Sequence, residues 1–344
     1  MSVFEHEEYA GHEFVGFFSD QAVGLHAIIT IHSTTLGPSA GGTRFYPYQN
    51  SAEALCDVLR LSKAMTYKFA VAGIALGGGK SVIIGNPKVN KTEELLEAFG
   101  RAVDRLGGRY ICAEDVGMTP NDVAIIHRLT EYVAGLPGKS GDTSPPTGYG
   151  VFQAIRAGVK KRLGVGDLNG LAVAVQGVGN VGWHLCKHLK EAGARIFAAD
   201  IDTDAVRRVV DQLGAEAVSV DNILFLDVDV LSPCALGAVL NDDTIPKIQA
   251  KIICGGANNQ LAKAHHGKAL GDRDILYVPD YVANAGGAIS GSREITGASE
   301  AEAIQGITAI YHTCNRVFDL AERDGIPTNE AADRLAEEMI KGKL

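Results

Sequence analysis

No apolar run in this 344-residue chain approaches the about 20 residues a helix needs to cross a bilayer, which argues against a membrane protein. Positive charge is in short supply. Lys and Arg number 32 against 41 Asp and Glu, a net charge of −9, so there is no general basic surface for nucleic acid. The opening MSVFEHEEYAGHEF is acidic and lacks the apolar core of a secretory signal. No CxxC pair occurs. The six cysteines, at 56, 112, 186, 234, 254 and 314, are scattered, which suits reduced thiols in a cytoplasm better than a disulfide framework. GPSAG (37–41) has the GxSxG form, but no nucleophile–base motif accompanies it to support a hydrolase. Internal repeats and low-complexity tracts are absent. What remains is an ordinary globular composition, 46% hydrophobic and 21% charged, long enough for two domains with substantial cores.

The stretch LGGGKS (76–81) imitates a phosphate loop. A P-loop requires its first glycine at 74, where this chain has isoleucine. The context is also inverted, because a P-loop runs from strand into helix. Here a helical pattern comes first and the β-rich run 81–85 follows. Lys80 therefore has another task, and Lys68, twelve residues earlier, is a candidate to share it.

The segment GLPGKSGDTSPPTGYG (135–150) lacks a helical apolar stripe and reads as a linker or hinge. Before it the pattern is mixed α/β. AIITIHST (27–34) alternates like a strand. Residues 51–68 place Leu55, Val58, Leu59, Ser62 and Met65 at helical spacing, with Ser51 as N-cap. Residues 91–106 form a second amphipathic helix, and RYICAEDV (109–116) a short strand ending in two acids. After it, strand-like runs at 171–177, 195–200, 228–235, 250–258 and 275–282 alternate with helical patterns at 180–193 and 203–214. Continuous apolar strands with intervening helices imply a parallel doubly wound sheet. The end of the chain, 300–325 and 328–340, is helical and is expected to pack back on the first domain.

Gly177-Val178-Gly179-Asn180-Val181-Gly182 is a GxGxxG sequence placed between a buried strand and a helix, with Asp200 at the end of the next strand. In that context it is a dinucleotide fingerprint. The glycines permit the tight turn, the approach of backbone N–H groups to a pyrophosphate, and close helix–strand packing. Asp200 is suited to accept hydrogen bonds from the ribose hydroxyls, and its charge repels a 2′-phosphate, so NAD is expected over NADP.

Lys68, Lys80 and Asp115 are expected at the ends of secondary elements, where sites form. Two lysines held close together repel, and burial adds to this, so one should be neutral near working pH and act as a base. The other, still charged, would hold a carboxylate, while an aspartate exchanges protons with an amine or water. Glu114 is adjacent to Asp115, but neighbouring strand residues face opposite ways. His184 and His188 stand four apart on a helix with Cys186 on another face, so they read as a solvated face rather than a zinc site. His265-His266 reads as a loop or helix-end pair, and no metal site is expected.

Nine blocks carry a resemblance: GPSAGGTR (37–44), LSKAMTYK (61–68), LGGGKSVI (76–83), RYICAEDVG (109–117), SPPTGYGV (144–151), AVQGVGNVG (174–182), PCALGA (233–238), GGANNQL (255–261) and PDYVANAGG (279–287). In this order and spacing the chain resembles the glutamate/leucine/phenylalanine/valine dehydrogenase superfamily, above all its short leucine and phenylalanine types. The resemblance implies an N-terminal mixed α/β substrate and oligomerisation domain (1–135, with helix 328–344 returning to it). It also implies a doubly wound Rossmann NAD-binding domain (145–325), with a cleft between the two. It implies that Lys68 binds the substrate α-carboxylate, Lys80 is the base acting through water, and Asp115 moves protons at the nitrogen. Asn258 would meet both substrate and nicotinamide, Asn284 would lie near the nicotinamide, and Thr147 would touch its carboxamide. Cys234 and Ala235 would flank the adenosine half, with Ile201 and Ala257 completing the cofactor set. Gly41, Gly42, Ala40, Met65, Ala113, Pro146, Ala288 and Gly291 are expected around the substrate.

The expected activity is reversible NAD-dependent oxidative deamination of an apolar L-amino acid, branched-chain or aromatic, to a 2-oxo acid and ammonia. The expected setting is a cytoplasmic homo-oligomer. The alternatives are the same chemistry on a narrower substrate, tryptophan or valine, and an NAD-binding regulator without catalysis. Intact Lys68, Lys80 and Asp115 count against the latter.

Overall fold

In the computed structural model a single 3-10 turn (Val3–Glu5) precedes strands β1 (Phe14–Asp20), β2 (Leu25–Ser33) and β3 (Ser39–Tyr46). Then come helix α1 (Ser51–Val71), β4 (Gly77–Ile84), α2 (Glu93–Asp104), β5 (Tyr110–Glu114) and α3 (Pro120–His127). The structure describes residues 2–139, 141–235 and 237–342. It separates into two units: one comprises the chain up to Gly141, Gly291–Ala298 and the chain from Glu337, the other Asp142–Ser290 and Ser299–Ala336.

The first unit is built on a mixed sheet in the order β1-β2-β4-β3-β5. β2 pairs antiparallel with β1 and β4, while β3 runs parallel to β4 and β5. Helix α1 covers one face, where Ala54 and Val58 pack with Ile28 and Val82. The core on the other side joins Ile29, Ile31, Phe45 and Ile83 of the strands to Leu95, Phe99 and Val103 of α2 and Val123 and Ile126 of α3. Each such fully buried side chain contributes about 1.5–3 kcal/mol.

Two local details differ from the sequence reading. Asn50, not Ser51, caps α1: its Oδ1 accepts the Glu53 N–H at 2.9 Å, and the extended backbone that a cap requires occurs at residue 50. The glycines 77–79 lie inside β4 rather than before it. Periodicity misses them because a glycine contributes no side chain to the alternation.

In the second unit, α4 (Ser144–Leu163) is followed by β6 (Ala172–Gln176), α5 (Asn180–Glu191), β7 (Arg195–Ala199), α6 (Thr203–Leu213), β8 (Glu216–Ala217), β9 (Val230–Pro233) and β10 (Ile252–Ile253). The rest is α7 (His266–Gly271), β11 (Leu276–Tyr277), α8 (Asp280–Ala283), α9 (Gly286–Thr296), α10 (Glu300–Thr308), α11 (Ile310–Asp324) and α12 (Thr328–Ile340). All six strands are parallel, in the order β11-β10-β9-β6-β7-β8. This is the doubly wound arrangement, whose order reverses beside β6, and ligands bind outside the carboxyl ends of the strands there.

The stretch 135–150 is only partly a linker, because α4 begins at Ser144. Pro145 and Pro146 fill its first turn, where a missing N–H costs nothing. Gly148 and Gly150 are buried packing positions against α5 and against Gly286 and Ile310. The run 275–282 is a strand only at Leu276–Tyr277 and then turns into α8. Helix 300–325 is two helices meeting at Ala309. Among the described residues no helix is long and apolar enough to cross a membrane.

Candidate active site

The first unit gathers charge on its parallel strands. Lys80 Nζ sits 2.7 Å from Asp115 Oδ2, its side chain 8% exposed. Lys80 lies mid-strand in β4, not at an element end, and Asp115 follows directly on β5. The approach of Asp115 depends on glycine. A Cβ at Gly42 would stand 2.8 Å from the Asp115 Cβ, and one at Gly41 would collide with the Gly79 carbonyl. Lys80 is thus buried between a glycine-paired strand and its counter-ion, not on the surface.

Burial pushes the Lys80 ammonium below its ordinary range despite the opposing pull of Asp115, and the positive charge of Arg44 adds to the lowering. Burial is the leading cause, and Arg44 is a like charge that adds to it. Burial would raise the Asp115 carboxyl, but Lys80 and Arg44 outweigh it and hold the group below the usual carboxylate range. Lys68 is half-buried in the last turn of α1. Ala40, Gly41 and Gly42 lie on β3, Met65 on α1 and Ala113 on β5. Glu114 is exposed. Gly291 belongs to this unit, while Ala288, on the same helix α9, belongs to the other.

Arg44 is the member that sequence reasoning missed. Its Nε bonds Asp115 Oδ2 at 3.2 Å and its Nη1 bonds Asp57 Oδ2 at 2.8 Å. The hydroxyl of Tyr48 donates to the same Asp57 oxygen at 2.7 Å. The signal was present at the end of the GPSAGGTR block, but no spacing rule links residue 44 to 57 and 115.

The second unit forms a cradle at the carboxyl ends of β6, β7 and β9. Gly177 has φ +91°, and a Cβ there would press on Ala235, while Gly182 packs on the Gly177 carbonyl. Gly179 and Asn180 are exposed at the start of α5, and Val178 is buried beneath. Asp200 Oδ2 accepts the Val178 N–H at 2.8 Å and Oδ1 the Asp202 N–H at 3.0 Å, which fixes the carboxylate. Beside it Ile201 is 92% exposed, an apolar surface left open. The Cys234 thiol, pushed up by burial, accepts the Gly256 N–H at 3.3 Å. Asn284 is buried; its Nδ2 donates to Asn258 Oδ1 at 2.8 Å and to the Gly256 carbonyl at 3.3 Å. Thr147 lies close to Gly287, and Ala257 is buried beside Asn258.

Asn284 Oδ1 is buried without a hydrogen-bond partner. A buried orphan acceptor costs about 1–3 kcal/mol, which a carboxamide N–H from a dinucleotide would offset. With the glycine turn, the anchored Asp200 and the open Ile201, the residues present fit a dinucleotide.

Two histidine groups stand apart from this. His188 is not simply solvated: its ring packs at a tilt against Tyr149 and Phe152, with centroids 5.2 and 5.5 Å away. His265 and His266, at the start of α7, lie near Asp242 within metal-ligating distance. His266 Nδ1 accepts the Lys263 N–H at 3.0 Å. The proton of the neutral ring is therefore on Nε2, which donates to Asp242 at 3.1 Å. A metal at Nε2 would have to displace that proton.

Comparison with known proteins agrees with both halves. Residues 16–132 match the family described as Glu/Leu/Phe/Val dehydrogenase, dimerisation domain. Residues 138–206 and 199–305 match Glutamate/Leucine/Phenylalanine/Valine dehydrogenase. The chain is 49% identical to a leucine dehydrogenase of Bacillus subtilis over 344 residues, 99% of this chain and 94% of the relative. It is 48% identical to an L-tryptophan dehydrogenase of Nostoc punctiforme over 341 residues, 99% and 96% of the two chains. The crystal structure of L-tryptophan dehydrogenase from Nostoc punctiforme superposes with a TM-score of 0.88 at 47% identity, covering 96% of each chain. Motifs, fold and full-length similarity together establish that the chain belongs to the glutamate/leucine/phenylalanine/valine dehydrogenase family.

Proposed function

We propose that the chain catalyses NAD-dependent oxidative deamination of an apolar L-amino acid, with Lys80 and Asp115 as its proton-handling groups. As a member of this family it is an amino-acid dehydrogenase acting on a CH–NH2 bond. The observation that carries the residue assignment is the buried Lys80–Asp115 pair at 2.7 Å. A lysine with a lowered pKa releases its proton within reach of working pH and serves as general base. Lys80 then activates water to attack the amine-bearing carbon after that carbon has lost its hydride, and Asp115 carries protons to and from the nitrogen. Lys68 holds the α-carboxylate. When bound, NAD supplies the hydride acceptor.

The dinucleotide is assigned to Thr147, the Gly177–Gly182 turn, Asp200, Ile201, Cys234, Ala235, Ala257, Asn258 and Asn284. Substrate is assigned to Gly41, Gly42, Lys68 and Asn258, and its side chain to Ala40, Met65, Ala113, Ala288 and Gly291. NAD is favoured over NADP because Asp200 would face a 2′-phosphate. Arg207 is paired with Asp204 at 2.9 Å, while Arg208 lies 4.3 Å from the centre of the Trp183 ring and its Nη2 reaches the Val178 carbonyl at 3.5 Å. The first unit is assigned to self-association, in line with the dimerisation domain it matches; a monomer by light scattering at micromolar concentration would refute this. The cytoplasm is the proposed setting for a chain whose six cysteines are all free thiols.

The test is NADH formation at alkaline pH with a panel of L-amino acids, repeated with NADP. Turnover with apolar amino acids and a kcat/KM well above that with NADP are expected. No turnover with any amino acid would favour a regulator that binds the cofactor without catalysis.

A further inference from the structure

We infer that Arg44 is a positioning residue of the reaction, bridging Asp57 and Asp115 so that Asp115 presents one oxygen to Lys80 and the charge of the pair is biased toward proton release. The inference rests on the assignment of Lys80 and Asp115 to the chemistry. Its geometry lies within the first unit. Both cations converge on Asp115 Oδ2, Arg44 at 3.2 Å and Lys80 at 2.7 Å. Arg44 is itself aimed by Asp57 at 2.8 Å, and Asp57 is held by the Tyr48 hydroxyl and by Arg60 Nη2 at 3.2 Å. Guanidinium suits this place because its rigid fork addresses two carboxylates at once, which a lysine ammonium does not match. Arg44 and Asp57 are half-buried, with side-chain exposures of 23% and 13%, so their charges are screened less than those of exposed groups.

The charges facing Arg44 come from every element around it. Strand β4 brings Lys80, and the chain directly after β5 brings Asp115. Helix α1 brings Asp57, Glu53, Cys56 and Arg60, the end of β3 brings Tyr46, and the chain after it brings Tyr48. Glu53 and Arg60 border an open pocket of about 500 Å3 and are screened by solvent. After burial and Asp115 itself, the charges that act on Lys80 are therefore those of Arg44 and Asp57. Arg44 lowers both Lys80 and Asp115, whereas Asp57 raises Lys80. The two substitutions should move the pair in opposite directions, an outcome that loss of packing would not produce.

The experiment is the pH profile of kcat/KM for deamination in the wild-type protein, Arg44→Gln, Arg44→Lys and Asp57→Asn, with Lys80→Ala alongside. Arg44→Gln is expected to shift the lower limb upward by about one pH unit, the low end of what a neighbouring charge does. Asp57→Asn is expected to shift it downward. Arg44→Lys should keep the limb near the wild-type position but lower kcat, since it retains the charge without the fork. An unmoved limb in Arg44→Gln, or shifts of the same sign in Arg44→Gln and Asp57→Asn, would overturn the inference. Should Arg44→Gln fail to fold by circular dichroism, Asp57→Asn decides, and an unmoved or raised limb there refutes it. Near-normal kcat in Lys80→Ala would remove the base assignment and the inference with it. An inactive Lys80→Ala beside an unmoved Arg44→Gln limb would sink the inference alone.

Discussion

Lys80 is costly to bury: the residue is 6% exposed with a carboxylate at 2.7 Å, and such a group is retained where its proton is used. Lys80→Ala and Asp115→Asn should each lower kcat by about 10²–10⁴-fold, the usual worth of a general acid–base group. Lys68→Ala should act mainly on KM. Steady-state kinetics distinguish these, and near-normal kcat in Lys80→Ala would show that another group is the base. Deamination should increase with pH, because the lowered Lys80 must lose its proton to act. A second titration bears on stability. His32 is pushed down to about 4 by burial, with His12 and Lys63 adding like charge, and its Nδ1 lies 2.9 Å from Thr66 Oγ1. Unfolded, it titrates near 6.5. Between those values the unfolded state binds more protons, so stability is fully present above 6.5 and falls with decreasing pH, by about 3 kcal/mol at pH 4. Melting temperatures of the wild-type protein and His32→Gln across that window test this. Equal acid sensitivity in the two would refute it.

At the scale of elements, the site depends on strands that approach more closely than side chains allow. Gly42→Ala would put a methyl 2.5 Å from the Glu114 carbonyl and 2.8 Å from the Asp115 Cβ. It should cost about 1–3 kcal/mol in overpacking and lower kcat by at least about tenfold, since a misplacement of one ångström is expensive in catalysis. A variant with unchanged kcat would show that Asp115 tolerates the shift. This dependence also explains what the sequence disclosed. The dinucleotide turn was legible because its glycines, strand and acid form one local pattern within residues 171–200. Strand β4 was half-legible: Ser81–Ile84 belong to a β-rich run, while Gly77–Gly79 carry no side chains to mark a strand. Strand β1 and the break at Ala309 carried no signal used in the reading. Helix α4 was hidden by Pro145, Pro146, Gly148 and Gly150, residues that normally mark loops and here serve a first turn and two close packings. Lys80 and Asp115 were singled out as residues and given their roles by resemblance, but the cation beside them was not found, because Arg44, Asp57 and Asp115 meet only through the sheet and the helix that covers it.

For the whole molecule the open variable is the substrate side chain. The relatives include enzymes named for leucine and for tryptophan at nearly equal identity, 49% and 48%, so overall similarity does not choose between an aliphatic and a large aromatic. The charges of the first unit do exclude something. Lys80 is committed to Asp115, and Arg44 to Asp57 and Asp115, while Lys68 is assigned to the α-carboxylate. A second carboxylate, as in glutamate, would enter without a cation to meet it, and an unpaired buried charge is costly. Of the residues proposed for the side chain, Ala40, Ala113, Ala288 and Gly291 are all small, and Met65 is large and adaptable beside the expected Pro146. Small residues leave room, and each methylene of room is worth only about 1–3 kcal/mol in discrimination. The kcat/KM values for leucine, valine, phenylalanine, tryptophan and glutamate should therefore fall in a broad apolar series that admits at least one aromatic amino acid, with glutamate last. A strong preference for valine over both leucine and phenylalanine would mean that backbone or loop positions refill the space these small residues leave. Glutamate turnover comparable to leucine would mean that one of the three cations is not committed as assigned.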